Sequence, residues 1–101
     1  MMGAILHIIN QSPFSSKVIE QCFERLHQDD GIILLEDGIY CAMQHQPFAA
    51  QIQSLSQCYA IENDSKARGI NTDQLLSNVN LIGYDEFVAL AVEYPLNQSW
   101  Y

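Results

Sequence analysis

Ala4-Ile5-Leu6-His7-Ile8-Ile9-Asn10, followed directly by Gln11-Ser12-Pro13-Phe14, decides the fold. The run from Ala4 to Ile9 is apolar except for His7 and rich in β-branched residues. A strand of that kind is buried on both faces, as in a parallel sheet. Ser12 suits a helix N-cap, and Pro13 suits the first helical position. The spacing predicts a helix from there to about His27. Phe14, Val18, Ile19, Cys22, Phe23 and Leu26 form its apolar stripe, with Lys17, Glu20, Glu24 and Arg25 off it. A buried strand leading into an amphipathic helix opens a β-α unit.

The same alternation continues outward. Asp29-Asp30-Gly31 reads as a turn and Ile32 to Leu35 as a second buried strand, ended by Asp37-Gly38. Asp37 is placed to cap a helix through Ala42 and beyond, until Pro47 interrupts it. Phe48 to Leu55 reads as a short helix and Cys58 to Ile61 as a third strand. Asn63 or Asp64 opens another short helix, which Gly69 closes as a C-terminal cap. Thr72 or Asp73 starts a further helical turn, and Val79 to Ile82 is a fourth strand. Tyr84 or Asp85 begins the last helix, with Phe87, Val88, Leu90, Ala91 and Tyr94 on its apolar side. Pro95 ends it, and the residues beyond form a short fifth strand or a docked tail. The fold class is α/β: a single three-layer domain over residues 1–101, with a mostly parallel central sheet of four or five strands and helices on both faces. No linker, repeat or low-complexity segment interrupts it.

The bulk composition narrows the function. Hydrophobic residues make up 49% of the chain and charged residues 16%, against about 25% charged in an ordinary globular domain. A domain this small has limited interior, so part of that apolar content is expected to be covered by another subunit. The net charge is −8, and the four basic residues, Lys17, Arg25, Lys66 and Arg68, form no stripe. Direct binding of nucleic acid is not expected without clustered bases to neutralise phosphates. The apolar run at the N-terminus has no basic leader and is too short to span a membrane, so a cytoplasmic location is expected. The three cysteines, Cys22, Cys41 and Cys58, are then reduced thiols, with no C-x-x-C spacing for zinc or a disulfide framework.

Cys22 is the first candidate for chemistry. A thiol nucleophile needs exposure and nearby positive charge, and Arg25 lies three residues on. Its place within the apolar stripe gives the competing reading of a small buried hydrophobe. Cys41 and His45 are four apart, so a helix would put them on one face, where the imidazole could activate the thiol. No third group is evident, and two ligands do not make a metal site. Cys58 opens a buried strand and reads as core. Glu36 and Asp37 are adjacent and point in different directions, so a turn explains them better than an acid/base pair. His7 reads as a hydrogen-bonded core or interface residue. The turn after the first strand has no glycine and lacks both the dinucleotide and phosphate-loop patterns, so no cofactor is expected. Tyr84, Phe87, Tyr94, Trp100 and Tyr101 either dock a partner or close the core.

Four short phrases then stand out in fixed order. They are Leu6-His7 with Ser12-Pro13-Phe14; Leu34-Leu35-Glu36-Asp37-Gly38-Ile39-Tyr40; Ala67-Arg68-Gly69; and Tyr84-Asp85-Glu86-Phe87-Val88 leading to Ser99-Trp100. Their order and spacing, from Leu6 to Trp100, resemble the DsrH/TusB family of bacterial sulfur-relay proteins. The resemblance implies a small α/β domain that joins related TusC/DsrF-like and TusD/DsrE-like subunits in a hetero-hexamer of two trimers. Such a complex carries sulfur as a persulfide, with the main acceptor cysteine on the TusD/DsrE-like partner. In one branch the sulfur goes to 2-thiouridine at the tRNA wobble position. In the other it enters dissimilatory sulfur oxidation, and members of that branch carry a cysteine at the place of Cys22. The resemblance implies an accessory subunit and leaves the branch open; tRNA thiolation, the more widespread role, is the expectation, with Cys22 as a persulfide-carrying thiol of the sulfur-oxidation branch in the alternative.

Overall fold

In parallel β-α-β units the connections are right-handed, so the direction in which the chain steps across the sheet decides which face each helix covers. The computed structural model describes residues 3–100. Its strands are Ile5–Ile9 (β1), Gly31–Leu34 (β2), Cys58–Ile61 (β3), Val79–Ile82 (β4) and Leu96–Trp100 (β5). They form one sheet in the order β4-β3-β2-β1-β5, and every pairing is parallel. The chain steps one way from β1 to β4, then returns across the whole sheet to place β5 beside β1.

The helices divide accordingly. Helix α1 (Val18–Arg25), a 3-10 helix over Glu36–Ala42 and helix α2 (Ala49–Gln53) pack on one face. Val18, Ile19, Cys22, Ile39, Cys41, Ala42 and Ile52 meet Ile9, Ile32, Leu34, Cys58 and Ala60 there. The single connection that runs back, helix α4 (Tyr84–Glu93), covers the opposite face. Phe87, Leu90 and Ala91 pack on Leu6, Ile33, Ile61 and Ile82. Helix α3 (Glu62–Ala67) follows β3. Its end is a Schellman closure, with Gly69 at φ +68°. The Ile70 N–H reaches the Ser65 carbonyl at 3.1 Å and the Gly69 N–H reaches the Lys66 carbonyl at 3.0 Å.

The α/β class, the four central strands, the Gly69 cap and the parallel sheet follow the sequence reading, and the tail resolves as β5. Three boundaries differ. Helix α1 starts at Val18, not at Ser12-Pro13. The Ser12 hydroxyl accepts the Phe14 N–H and the Ser16 hydroxyl accepts the Val18 N–H, each at 3.1 Å. These local turns compete with a helix for the same donors, and Phe14 is left 62% exposed. The segment after β2 is a 3-10 helix that stops at Ala42, and no side chain caps it; the Asp37 carboxylate instead pairs with Arg68. Helix α2 is shorter than expected, because the Gln46 side chain occupies the Phe48 N–H at its entry.

Gly38 shows what holds that 3-10 helix against the sheet. The Leu35 N–H donates to the Ile9 carbonyl at 3.0 Å. An added Cβ at Gly38 would lie 2.1 Å from that same oxygen. Gly38→Ala must push the helix off the end of β1. The expected cost is about 2 kcal/mol or more, as for other overpacking substitutions. Urea denaturation checks it, and an unchanged midpoint would contradict the close approach.

Candidate functional site

Two polar networks tie the sheet together, and each is centred on an aspartate. The first lies between β1 and β5. The imidazole of His7 is buried, with Nε2 at 2.8 Å from the Asp30 carboxylate and Nδ1 at 3.0 Å from the Trp100 indole nitrogen. An indole N–H only donates, so Nδ1 is the acceptor and Nε2 carries the proton. His7 is therefore a neutral imidazole with both nitrogens occupied. Asp30 also accepts the backbone N–H groups of Ile5 at 2.9 Å and His27 at 3.1 Å. Burial by itself would raise the Asp30 carboxyl. The hydrogen bonds from His7, Ile5 and His27 outweigh it and hold the group below its ordinary 3.8. Such a triad builds structure and leaves no free base.

The second network crosses the carboxyl ends of β2, β3 and β4. Asp64 accepts the Glu36 N–H at 2.8 Å and the Tyr84 hydroxyl at 3.0 Å. Glu36 sits at φ +51°, a left-handed turn position that Asp64 helps to hold. Arg68 reaches the Asp37 carboxylate at 3.0 Å and the Asp64 backbone carbonyl at 3.2 Å. Thus Glu36-Asp37-Gly38, Arg68-Gly69 and Tyr84, from three of the four phrases, meet at one edge. The hydrogen bond to Asp64 raises the Tyr84 phenol above its ordinary 10.0.

The thiols lie elsewhere. Cys22, Cys41 and Cys58 are each 0% exposed in the core on the α1 face. Burial pushes each thiol up to about 12, and the Asp30 charge adds to this at Cys22. Arg25, which the sequence places three residues on, is exposed and lines a cavity with Ile5, His7, His27, Gln98 and Trp100, whose lining does not include Cys22. The candidate pairing of Cys41 with His45 does not form. The 3-10 helix ends at Ala42, Cys41 turns inward to donate to the Gln11 carbonyl at 3.8 Å, and His45 is exposed. Among the described residues no group of three His, Cys, Asp or Glu could hold a metal ion. No helix of the described residues is long and apolar enough to cross a membrane. Phe87 and Tyr94 close the core under α4, Tyr94 donating to Gln57, while Tyr84 stays half-exposed. Tyr101 lies outside the described residues.

Sequence reasoning placed His7 correctly and missed its partners. Asp30 reads as half of an Asp-Asp turn, and Asp64 as one of two helix-opening residues. Nothing in the local pattern marks either aspartate as the centre of a network.

A parallel five-stranded sheet with this order and these linked phrases defines a class, and comparison with known proteins agrees. The family model described as DsrH-like protein matches residues 11–96. Protein TusB of Pectobacterium atrosepticum is 35% identical over 97 residues, covering 95% of this chain and all of the relative. Protein TusB of Buchnera aphidicola is 36% identical over the same shares. The solution structure of protein Tm0979 from Thermotoga maritima superposes with a TM-score of 0.64 at 24% identity, covering 88% of this chain and 92% of that one, a likeness of fold. The chain belongs to the DsrH/TusB family of sulfur-relay proteins.

Two outcomes are expected. Asp30 has a depressed pKa, so its stabilisation is full above 3.8 and is lost as pH falls through the lower native value. Asp30→Asn should lose about 1–3 kcal/mol near neutral pH. The gap from the parent should narrow toward about pH 3 in urea titrations. A gap independent of pH would mean that the charge contributes nothing. All three thiols should also resist iodoacetamide in the native chain at mildly alkaline pH and react once it is unfolded. Rapid native labelling of Cys22 would show that its burial is readily broken.

Proposed function

We propose that this chain is the TusB-type subunit of a cytoplasmic sulfur-relay complex. It assembles with TusC/DsrF-like and TusD/DsrE-like subunits in a hetero-hexamer of two trimers. The complex passes persulfide sulfur toward 2-thiouridine at the tRNA wobble position, and this chain's role is structural. One observation carries the structural role: all three thiols are buried and pushed up to about 12. A persulfide carrier needs a reachable thiolate, and this chain presents none at rest. The TusB name of its relatives supports the thiolation branch over sulfur oxidation.

The surface favours a subunit. Tyr84, Val88 and Val92 lie at successive i, i+4 positions along the outer face of α4 and are 48%, 62% and 81% exposed. Residues at that spacing form one continuous stripe. An apolar stripe on an otherwise acidic chain suits contact with another protein. The net charge of −8 and the lack of a basic stripe disfavour phosphate, so contact with tRNA falls to other components of the pathway.

Native mass spectrometry of the chain coexpressed with TusC- and TusD-type subunits, followed by persulfide mapping, tests this reading. A two-trimer assembly with sulfur only on the TusD-type partner is expected, and Cys22→Ala should leave sulfur transfer unchanged. Persulfide on Cys22 would instead make this chain a carrier, as in the sulfur-oxidation branch. Failure to assemble would reject the subunit role.

A further inference from the structure

We propose that β5 is a docking edge for an extended, carboxylate-bearing segment of a partner subunit. The segment adds to the sheet as a sixth strand and lays an acidic side chain against Arg25 and His27. The proposal rests on the subunit reading above and names the surface that reading leaves open.

The edge is unguarded. β5 pairs with β1 through five consecutive residues, Leu96 to Trp100, and its other side is free in the sheet order. Leu96, Asn97, Gln98 and Ser99 are all exposed. Proteins protect such edges with charge, internal proline or a bulge, because free N–H and C=O groups recruit another strand. Leu-Asn-Gln-Ser-Trp has no charge and no proline, in a chain with 12 acidic residues. Its register with β1 is unbroken, so there is no bulge either.

A groove runs beside that edge. Leu96, Gln98 and Trp100 alternate onto the α1 face of the sheet. Leu96 lines a cavity of 370 Å³, and Gln98 and Trp100 line one of 490 Å³. Both cavities share Ile5 and His27, so together they follow the strand from end to end. Five residues of strand span about 17 Å. That shape suits an extended peptide, which gains main-chain hydrogen bonds along β5 and places alternate side chains in the groove.

Charge selects the occupant. Lys66 and Arg68 are engaged with Glu62 and Asp37. Arg25 faces the 490 Å³ cavity and has no ion-pair partner among the described residues. Exposed His27 stands beside it. Arg25 makes this corner the basic end of the groove, while Asp29 and Asp30 line the other end beside Leu96, so an acidic side chain is favoured at Arg25 alone. A second copy of β5 brings no carboxylate to it, and two chains of the same charge repel. A partner segment with an apolar residue beside Leu96, and an acid two positions along beside Gln98 and Arg25, satisfies both parts of the groove.

The test compares the full chain with its Arg25→Glu, Arg25→Lys and Lys17→Glu variants, alone and mixed with purified TusC- and TusD-type subunits. Arg25 and Lys17 are both exposed, so the variants should fold, and thermal unfolding verifies this. Lys17→Glu makes the same charge change beside the same helix but away from the groove. In the complex, amide exchange over Leu96 to Trp100 should slow. Arg25→Glu should weaken assembly by about tenfold or more, Arg25→Lys should retain most of it, and Lys17→Glu should bind as the parent does. A complex that forms with unchanged exchange in β5, or that is equally sensitive to Lys17→Glu and Arg25→Glu, overturns the proposal while leaving the subunit role intact. Protection of β5 that grows with the concentration of the chain alone would make a second copy the occupant and also overturn it. Failure of the parent chain to bind either subunit defeats both readings.

Discussion

The Asp30 carboxylate is the point on which one side of this molecule depends. It holds three donors at once, from the start of β1, the turn after α1 and the His7 ring. Through the other nitrogen of that ring it also holds Trp100 at the end of β5. Taking one charged group out of water is costly unless its lone pairs are filled, and here they are filled by two groups of β1 and one from the turn after α1. The sheet has strands of only four or five residues, so side-chain staples of this kind matter more than in a large domain. Asp64 plays the corresponding part across β2, β3 and β4, where it joins the left-handed turn at Glu36 to the start of α4.

These two networks explain why the family's phrases are spelled as they are. Gly38 is a glycine because a carbonyl oxygen occupies the space a side chain would take. Gly69 closes α3 in the left-handed region. Arg68 binds Asp37, Tyr84 binds Asp64, and Trp100 binds His7. The phrases record how strands and helices are fastened to one another. None of them exposes a nucleophile, which agrees with a subunit whose contribution is shape and contact.

Much of the fold was legible in the sequence because parallel strands buried on both faces read as unbroken apolar runs. Ile32 to Leu34 and Cys58 to Ile61 needed no other signal, whereas Val79 to Ile82, at the edge of the sheet, is broken by exposed Asn80. The start of α1 was not legible. Ser12 and Ser16 carry good capping side chains, and whether a serine caps a helix or closes a local turn depends on the packing of Phe14, which here stays in solvent. The continuation beyond Ala42 failed for a related reason. Spacing by four implies a shared face only if the helix persists, and Cys41 and His45 straddle its end. The candidate site was least legible, since its hubs are aspartates in polar turns and its bonds join residues as far apart as His7 and Trp100. The burial of Cys22 was one of two readings that the apolar stripe allowed.

The place of β5 also sets a timetable. It is the last strand in the sequence, yet it pairs with the first, Leu96 lying beside Ile5. During synthesis β1 to β4 can pair as they emerge, while one side of β1 waits until β5 has been made. Contacts of such long sequence separation form slowly. Until Trp100 reaches His7, the indole that fixes the imidazole's tautomer is missing and β1 is itself an open edge. The nascent chain therefore passes through a period in which β1, with its run of isoleucines, stands exposed to wrong pairings, and the docking of β5 is the event that ends it.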